Sequence, residues 1–385
     1  MPGRRSTTII SSNADSRPYD VVLFGASGFT GRQTVRYFAK HAPAGLRWAV
    51  AGRYREKLQA VGAPVDVLIA DSGNQASIDA VVSQTRVLLS TAGPFARYGT
   101  PVVDACVRFR THYADISGEA FWVQHLIAQY HDRAAAQSVR IVPCCGFDSV
   151  PSDLGAFLLA RHHCASMVRG YFQIGGGGLN GGTIASVSNL VASSHAPDAT
   201  RAGDFTMPHF DDLIGAWVGP FFMAPINRWV VARSASVFEA WGEPYPVGFM
   251  YREFLKFTPP LAPAKAVAAS AATGLAGVVL RIPPLFRAVV RLLPKPGTGP
   301  SEAKMDEGWF SCELVGRTAT GEPVRAFIKN RGDAGNRSTV KMLCESVFCL
   351  ALGQSTDRGG ILTPATAFGD QLVERLRAAG MTVSS

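Results

Sequence analysis

From Tyr19 onward, short apolar runs alternate with stretches of helical period. YDVVLF (19–24) leads into a glycine-rich turn, and a segment from about Phe29 to His41 then carries apolar residues at helical spacing. LRWAVA (46–51), VDVLIA (65–70) and RVLLS (86–90) repeat this pattern, each an apolar run followed by a turn signal and an amphipathic stretch. THYADI (111–116) and VRIVPC (139–144) are the next two runs, with a helical stretch around Val123 to Gln137 between them. Strands alternating with helices predict right-handed crossovers and a parallel sheet, so six strands complete a doubly wound α/β sheet by about residue 145.

The rhythm changes at Gly175 to Gly178, and the chain reads as Pro-rich and irregular to about residue 300. WFSCELVGRT (309–318) and PVRAFIKN (323–330), joined by Ala-Thr-Gly-Glu, read as an antiparallel hairpin that has no place in a parallel sheet. Helical patterns follow near Thr339 to Ala351 and Pro364 to Ala379. The expected division is a disordered tail over 1–18, a doubly wound dinucleotide-type (Rossmann) domain over 19–165 and a second, mixed α/β domain with antiparallel strands over 166–345. A closing helix over 364–380 is expected to pack back on the first domain.

Length and composition agree: 385 residues favour two domains, and 47% apolar against 17% charged residues exclude a disordered chain. The net charge of +9 does not point to nucleic acid, because no zinc-finger spacing, RNP-like aromatic run or long basic block accompanies it. The charge is instead concentrated between Glu253 and Glu302, where Lys256, Lys265, Arg281, Arg287, Arg291 and Lys295 punctuate an Ala, Val, Leu, Pro and Phe stretch without one acidic residue. Its uncharged part, Ala266 to Leu280, falls short of the roughly 20 residues that span a bilayer. Two readings of the basic apolar segment 256–297 stay open: an anionic membrane surface, or a buried helix or homodimer contact with a solvated basic rim. Seven scattered cysteines without a CxxC pair suit a reducing compartment, so a cytoplasmic protein, peripheral at the inner face of the plasma membrane under the first reading, is expected.

The most informative chemistry lies at Gly25-Ala26-Ser27-Gly28-Phe29-Thr30-Gly31, which follows a strand and opens a helix. Gly25 permits the tight turn, Gly28 admits a pyrophosphate and Gly31 allows close helix packing, while the N–H groups of Ser27, Phe29 and Thr30 face the anion at the positive end of the helix dipole. An NAD site would place an acid at the end of the second strand, but Ala51-Gly52-Arg53 stands there, and an Arg fits a 2′-phosphate. NADP(H) is therefore the expected cofactor. Asp71, past the third strand, either contacts the adenine or caps a helix.

The crevice at the strand ends should be bordered by Thr91-Ala92-Gly93-Pro94-Phe95, Ser117-Gly118-Glu119 and Cys145 to Ser149, with Ala92, Gly93 and Pro94 letting a nicotinamide lie against backbone. Tyr98, His112, Tyr113, Asp148, Ser149 and Asp153 are the available acids, bases or anchors, and Tyr98, Asp148 and Ser149 are the catalytic candidates. Asp148, Ser149 and Asp153 could equally serve turns and caps. No tyrosine has a lysine four residues on, which removes the short-chain dehydrogenase mechanism. His162-His163-Cys164 is too tightly spaced for a three-ligand site, and no metal is expected.

At GASGFTG, AGRYREKL (51–58), STAGPFARYGTPVVDAC (90–106), THYADISGE (111–119), CGFDSVPSDLG (145–155), LNGGTIAS (179–186), GPSEAKMDEGWF (299–310) and GGILTPATAFGDQLVERLRAAGM (359–381) the chain resembles the saccharopine dehydrogenase-like oxidoreductases, and most of all the bacterial trans-acting enoyl reductases of lipid biosynthesis. The resemblance implies a Rossmann domain joined to a mixed α/β domain, NADPH as reductant and an unsaturated acyl chain carried by a synthase as substrate. Two other functions stay open: a non-catalytic NADP(H)-binding, membrane-associated protein, and a saccharopine-type amino-acid dehydrogenase, for which Arg97 is the visible carboxylate anchor.

Overall fold

The structure, a computed structural model, describes residues 17–178, 180–192, 207–295 and 297–385. Most of the tail expected over 1–18 lies outside these residues. Arg17 departs from that expectation: its guanidinium donates to the carbonyls of Thr85 (2.7 Å) and Phe109 (2.9 Å) and to the Thr111 hydroxyl (3.0 Å) beside the first sheet.

Among the described residues, fourteen strands form two sheets. They are β1 (Tyr19–Phe24), β2 (Trp48–Gly52), β3 (Asp66–Ile69), β4 (Thr85–Ser90), β5 (His112–Asp115), β6 (Arg140–Val142), β7 (Ala165–Gly175), β8 (His209–Asp211), β9 (Ala216–Pro220), β10 (Met250–Phe257), β11 (Trp309–Thr318), β12 (Pro323–Arg331), β13 (Gly360–Ile361) and β14 (Thr382–Ser384). The helices are α1 (Phe29–His41), α2 (Arg55–Gln59), α3 (Gln75–Val82), α4 (Phe95–Arg108), α5 (Ala120–Ala136), α6 (Val150–Phe157), α7 (Gly181–Ala192), α8 (Ala224–Ala240), α9 (Ala262–Arg281), α10 (Pro283–Val290), α11 (Glu302–Glu307), α12 (Thr339–Ala351), α13 (Pro364–Phe368) and α14 (Asp370–Ala378).

The first sheet is all parallel in the order β13-β6-β5-β4-β1-β2-β3, which is a doubly wound sheet with one added edge strand. The chain order reverses between β1 and β4, and that switch point opens the crevice where such sheets bind ligands. Alternation along the strands fills both faces. Val21, Leu23, Val87 and Leu89 face α1, α6 and α12, while Val22, Phe24, Leu88 and Tyr113 face α3, α4 and α5.

The second sheet is mixed, in the order β14-β12-β11-β7-β10-β9-β8. The expected hairpin is present, with Trp309 opposite Arg331 and Arg317 opposite Pro323. β10 pairs parallel with β7, and every other pair in this sheet is antiparallel. The core is continuous between the sheets, since Phe172, Phe310 and Leu314 belong to the same apolar cluster as Leu23 and Val87. α12 joins that cluster along almost its whole length.

Three features differ from the sequence expectations. Among the described residues, the region read as irregular to residue 300 holds β8, β9, β10 and the four helices α7, α8, α9 and α10. Its strands hide their period because β10 places Glu253 inward, where Ser152 Oγ (2.7 Å), Tyr251 OH (2.8 Å) and Asn227 Nδ2 (2.8 Å) donate to it and burial lifts its carboxyl to about 7. The closing helix is two, broken at Gly369 with φ +48°. The uncharged stretch Ala266 to Leu280 belongs to a 20-residue helix, α9, long and apolar enough by length and composition to cross a membrane.

Candidate active site

The loop after β1 is shaped by its glycines. Gly25 adopts φ +84°, and its N–H together with that of Ala26 donates to Ala51 O at the end of β2, at 3.0 and 3.3 Å. This ties the loop to the strand that delivers Arg53. A Cβ on Gly31 would lie 2.2 Å from Gly25 O, so α1 can start against the loop only with glycine there. No side chain caps the N-terminus of α1, and its first turn holds no acid. Gly28 N donates to Gly25 O (3.0 Å) and closes the turn, while a helix start with free N–H groups at Ser27, Phe29 and Thr30 and a positive dipole end fits a pyrophosphate. Residues 297–299 of the second half lie over this loop: Arg32 donates to both Ser27 O (2.7 Å) and Gly297 O (3.2 Å), and Gly299 rests on the Phe29 ring.

Arg53 follows β2 directly and is exposed, with its guanidinium 5.6 Å from the centroid of the exposed Tyr54 ring; the Lys57 ammonium lies 4.7 Å from the same ring. A cluster of two cations and an aromatic plate beside the loop fits a 2′-phosphorylated adenosine. Replacing Arg53 with Ala should therefore weaken NADPH binding about 10–100-fold and leave NADH binding unchanged. Calorimetric titration with both nucleotides checks this, and an equal loss for both would assign Arg53 a purely structural role. Asp71 is not a helix cap. Its Oδ1 accepts from Gly73 N (2.9 Å), and α3 is capped by Asn74, whose side chain accepts from Ser77 N.

At the ends of β4 and β5 the backbone of Ala92, Gly93 and Pro94 is only partly covered. Glu119, which the sequence analysis left without a role, organises this corner. Its carboxylate accepts from Phe95 N and Ala96 N, both at 2.9 Å, and so closes the start of α4 from outside the helix. Ser186 of α7 donates to the same carboxylate at 3.0 Å, which seats α7 over Gly93. α7 itself starts on Asn180, whose Oδ1 accepts from Gly182 N and Thr183 N while its Nδ2 donates to Asn336 (2.9 Å). Met223, which precedes α8, and Ile226 within it lie against Gly118, so apolar side chains roof this end of the crevice.

The catalytic candidates separate clearly. His112 opens β5 and thus lies at the opposite end of the sheet, where the Arg140 guanidinium sits 2.8 Å from its Nε2 and burial drives its pKa down to about 3. Tyr113 is fully buried and donates to Asp115 (2.7 Å), whose carboxyl burial raises to about 7. Ser149 is fully buried and donates to Asn227 Oδ1 (3.2 Å), in the network that ends on Glu253. Asp153 accepts from Ala365 N (2.7 Å) and from Ser234 Oγ, which holds α8 and the start of α13 together. Each of these four already has a hydrogen-bond partner within the protein.

Asp148 and Tyr98 are different. Asp148 follows β6, is half-buried and has no hydrogen-bond partner among the described residues; burial raises its carboxyl to about 6. A carboxyl held near neutrality at a strand end of the crevice can carry a proton to a substrate. Its neighbour Ser149 anchors on Asn227 of α8, the helix that also carries Ile226. Tyr98 stands in the first turn of α4, half-buried, its ring 5.1 Å from the Arg97 guanidinium; its hydroxyl also lacks a partner among the described residues.

The chain is similar to several known proteins. Residues 21–142 match the family described as the saccharopine dehydrogenase NADP binding domain. A provisionally named trans-acting enoyl reductase of Mycobacterium tuberculosis is 36% identical over 97% of this chain and 98% of its own length. The trans-acting enoyl reductase of Mycobacterium bovis is 33% identical over 96% and 98%. Among solved structures, apo saccharopine dehydrogenase (L-Glu forming) from Saccharomyces cerevisiae aligns with a TM-score of 0.53 at 13% identity, over 95% of this chain and 99% of that one. That likeness is one of fold.

Proposed function

The chain belongs to the trans-acting enoyl reductase family, with the NADP-binding domain of the saccharopine dehydrogenases, and is an NADP-dependent oxidoreductase; from this premise we propose that it reduces a carbon–carbon double bond in an acyl intermediate of lipid or polyketide synthesis, presented on a synthase.

When bound, NADPH would be held by the Gly25–Gly31 loop and Arg53 and would supply the hydride. The protein's own part is to orient the acyl chain, exclude water and deliver a proton. Met223 and Ile226 form an apolar wall at Gly118, and such a wall takes an alkyl chain at low desolvation cost. In this reading the Tyr98 hydroxyl donates to the thioester oxygen as charge develops on it. The Asp148 carboxyl then holds the proton that the α-carbon requires, and its raised pKa keeps that proton available close to neutral pH.

Two observations support this reading: the partly desolvated Asp148 carboxyl, which has no hydrogen-bond partner among the described residues, and the apolar Met223 and Ile226 side chains at Gly118. A dehydrogenase of amino-acid adducts would be served by basic groups in that position instead. The test is a series of 2-enoyl thioesters of increasing length with saturating NADPH. kcat/KM should rise with chain length by roughly two- to five-fold per buried methylene, the factor its transfer from water supports. A flat series would remove the lipid-chain assignment.

A further inference from the structure

α9 and α10 carry an apolar surface that the fold does not cover. Only Ala262, Ala266 and Ser270 of α9 are buried, and these pack its first turns on β9 and β10. Val267, Ala271, Leu275 and Val278 recur at helical spacing on the exposed side, and Ile282, Leu285 and Leu292 continue the patch. Leu275 is 64% exposed and Leu292 87% exposed, values a soluble surface seldom gives to leucines grouped in this way.

The patch has one charge sign around it. Lys265, Arg281, Arg287, Arg291 and Lys295 are all exposed, and no Asp or Glu occurs between Glu253 and Glu302. A second copy of the chain would bring like charges together around the same patch. An anionic surface with an apolar interior satisfies both the rim and the stripe.

The position matters as well. The chain runs from α10 through Pro294 to Gly299, where Thr298 O accepts from Gly181 N and Gly299 lies on Phe29 of the cofactor loop. A cavity of about 450 Å³, lined by Gly177, Pro294, Gly299, Pro300, Ser301 and Lys304 among others, opens at this junction.

We propose that α9 and α10 dock this protein on an anionic lipid surface, with the apolar stripe inserted at the headgroup boundary and the mouth at Pro294 to Lys304 held against the membrane. The arrangement is peripheral and not spanning, because α9 is held on β9 and β10 by its first turns and carries Lys265 within them.

The test uses the full chain without substrate, so its outcome is independent of the acyl assignment. Co-sedimentation is measured with vesicles of phosphatidylcholine alone and of phosphatidylcholine with phosphatidylglycerol. Binding to the anionic vesicles is expected, falling steeply with added salt and by about five-fold for each of Arg287→Ala and Arg291→Ala. Leu275→Glu combined with Leu292→Glu should abolish binding while NADPH affinity stays unchanged; if this pair misfolds, the salt dependence of the wild type decides. Absence of wild-type binding to anionic vesicles would overturn the proposal. So would retained binding in a folded Leu275→Glu/Leu292→Glu protein, or a wild-type dimer in solution that this pair of changes dissociates.

Discussion

Asp148→Asn should lower kcat for enoyl reduction by about 10²–10⁴-fold, the span that removal of a positioned general acid commonly costs. NADPH affinity should not change, because Asp148 stands after β6 and the cofactor loop after β1. The pH dependence gives the sharper readout. Burial raises the Asp148 carboxyl to about 6, so the group is protonated below that pH and loses its proton above it. Wild-type kcat should therefore fall as pH rises through about 6, and the amide, which cannot titrate, should remove that limb. An unchanged limb would assign the proton to another group, with the Tyr98 hydroxyl next in line.

The second large effect is expected at Gly31. A methyl group there would stand 2.2 Å from Gly25 O and 2.9 Å from Ala26 backbone, and neither neighbour is a side chain that can swing aside. α1 must then move off the loop that its N-terminus completes. Gly31→Ala should cost about 1–3 kcal/mol in stability and weaken NADPH binding by at least ~10-fold. Gly28→Ala is the internal control: its nearest contact would be Gly25 O at 3.3 Å, so the packing loss should be smaller. Thermal unfolding with and without NADPH separates the two effects, since a ligand that binds only the folded state adds stability in proportion to its affinity. Equal behaviour of the two variants would mean that the helix start is not set by this contact.

The parts of the fold legible in the sequence are those where one physical rule acts alone. β1, β4 and their neighbours are buried on both faces and read as apolar runs, and GASGFTG announces its turn by glycine spacing. β13 is two residues long and carries no period to detect. β7 and β10 were hidden because charged residues stand within them: Arg169 pairs with Asp211 at 3.0 Å and Glu253 lies in a buried network, partners that the sequence does not place together.

The same reason divides the site. Arg53 and the glycine loop act through local geometry and were visible. Ser149 and Asp153 fit a crevice by position, but their partners, Asn227 and Ala365, come from far along the chain and take them out of it. Glu119 shows the converse. It stands in THYADISGE directly after a strand, yet its role as an external cap on α4 appears only when that helix start is brought beside it. A lone acid just past a strand end, facing a Gly-Pro turn on the neighbouring strand, is the signal that could have found it.

This chain is expected to couple NADPH to the reduction of a carbon–carbon double bond. The most direct measurement is the loss of nicotinamide absorbance when the purified protein and NADPH are mixed with a long-chain 2-enoyl thioester, with the product examined by mass. Oxidation should depend on the thioester and give a product heavier by two hydrogens. Oxidation that proceeds with a 2-oxo acid and an amino acid, and not with any enoyl thioester, would contradict it.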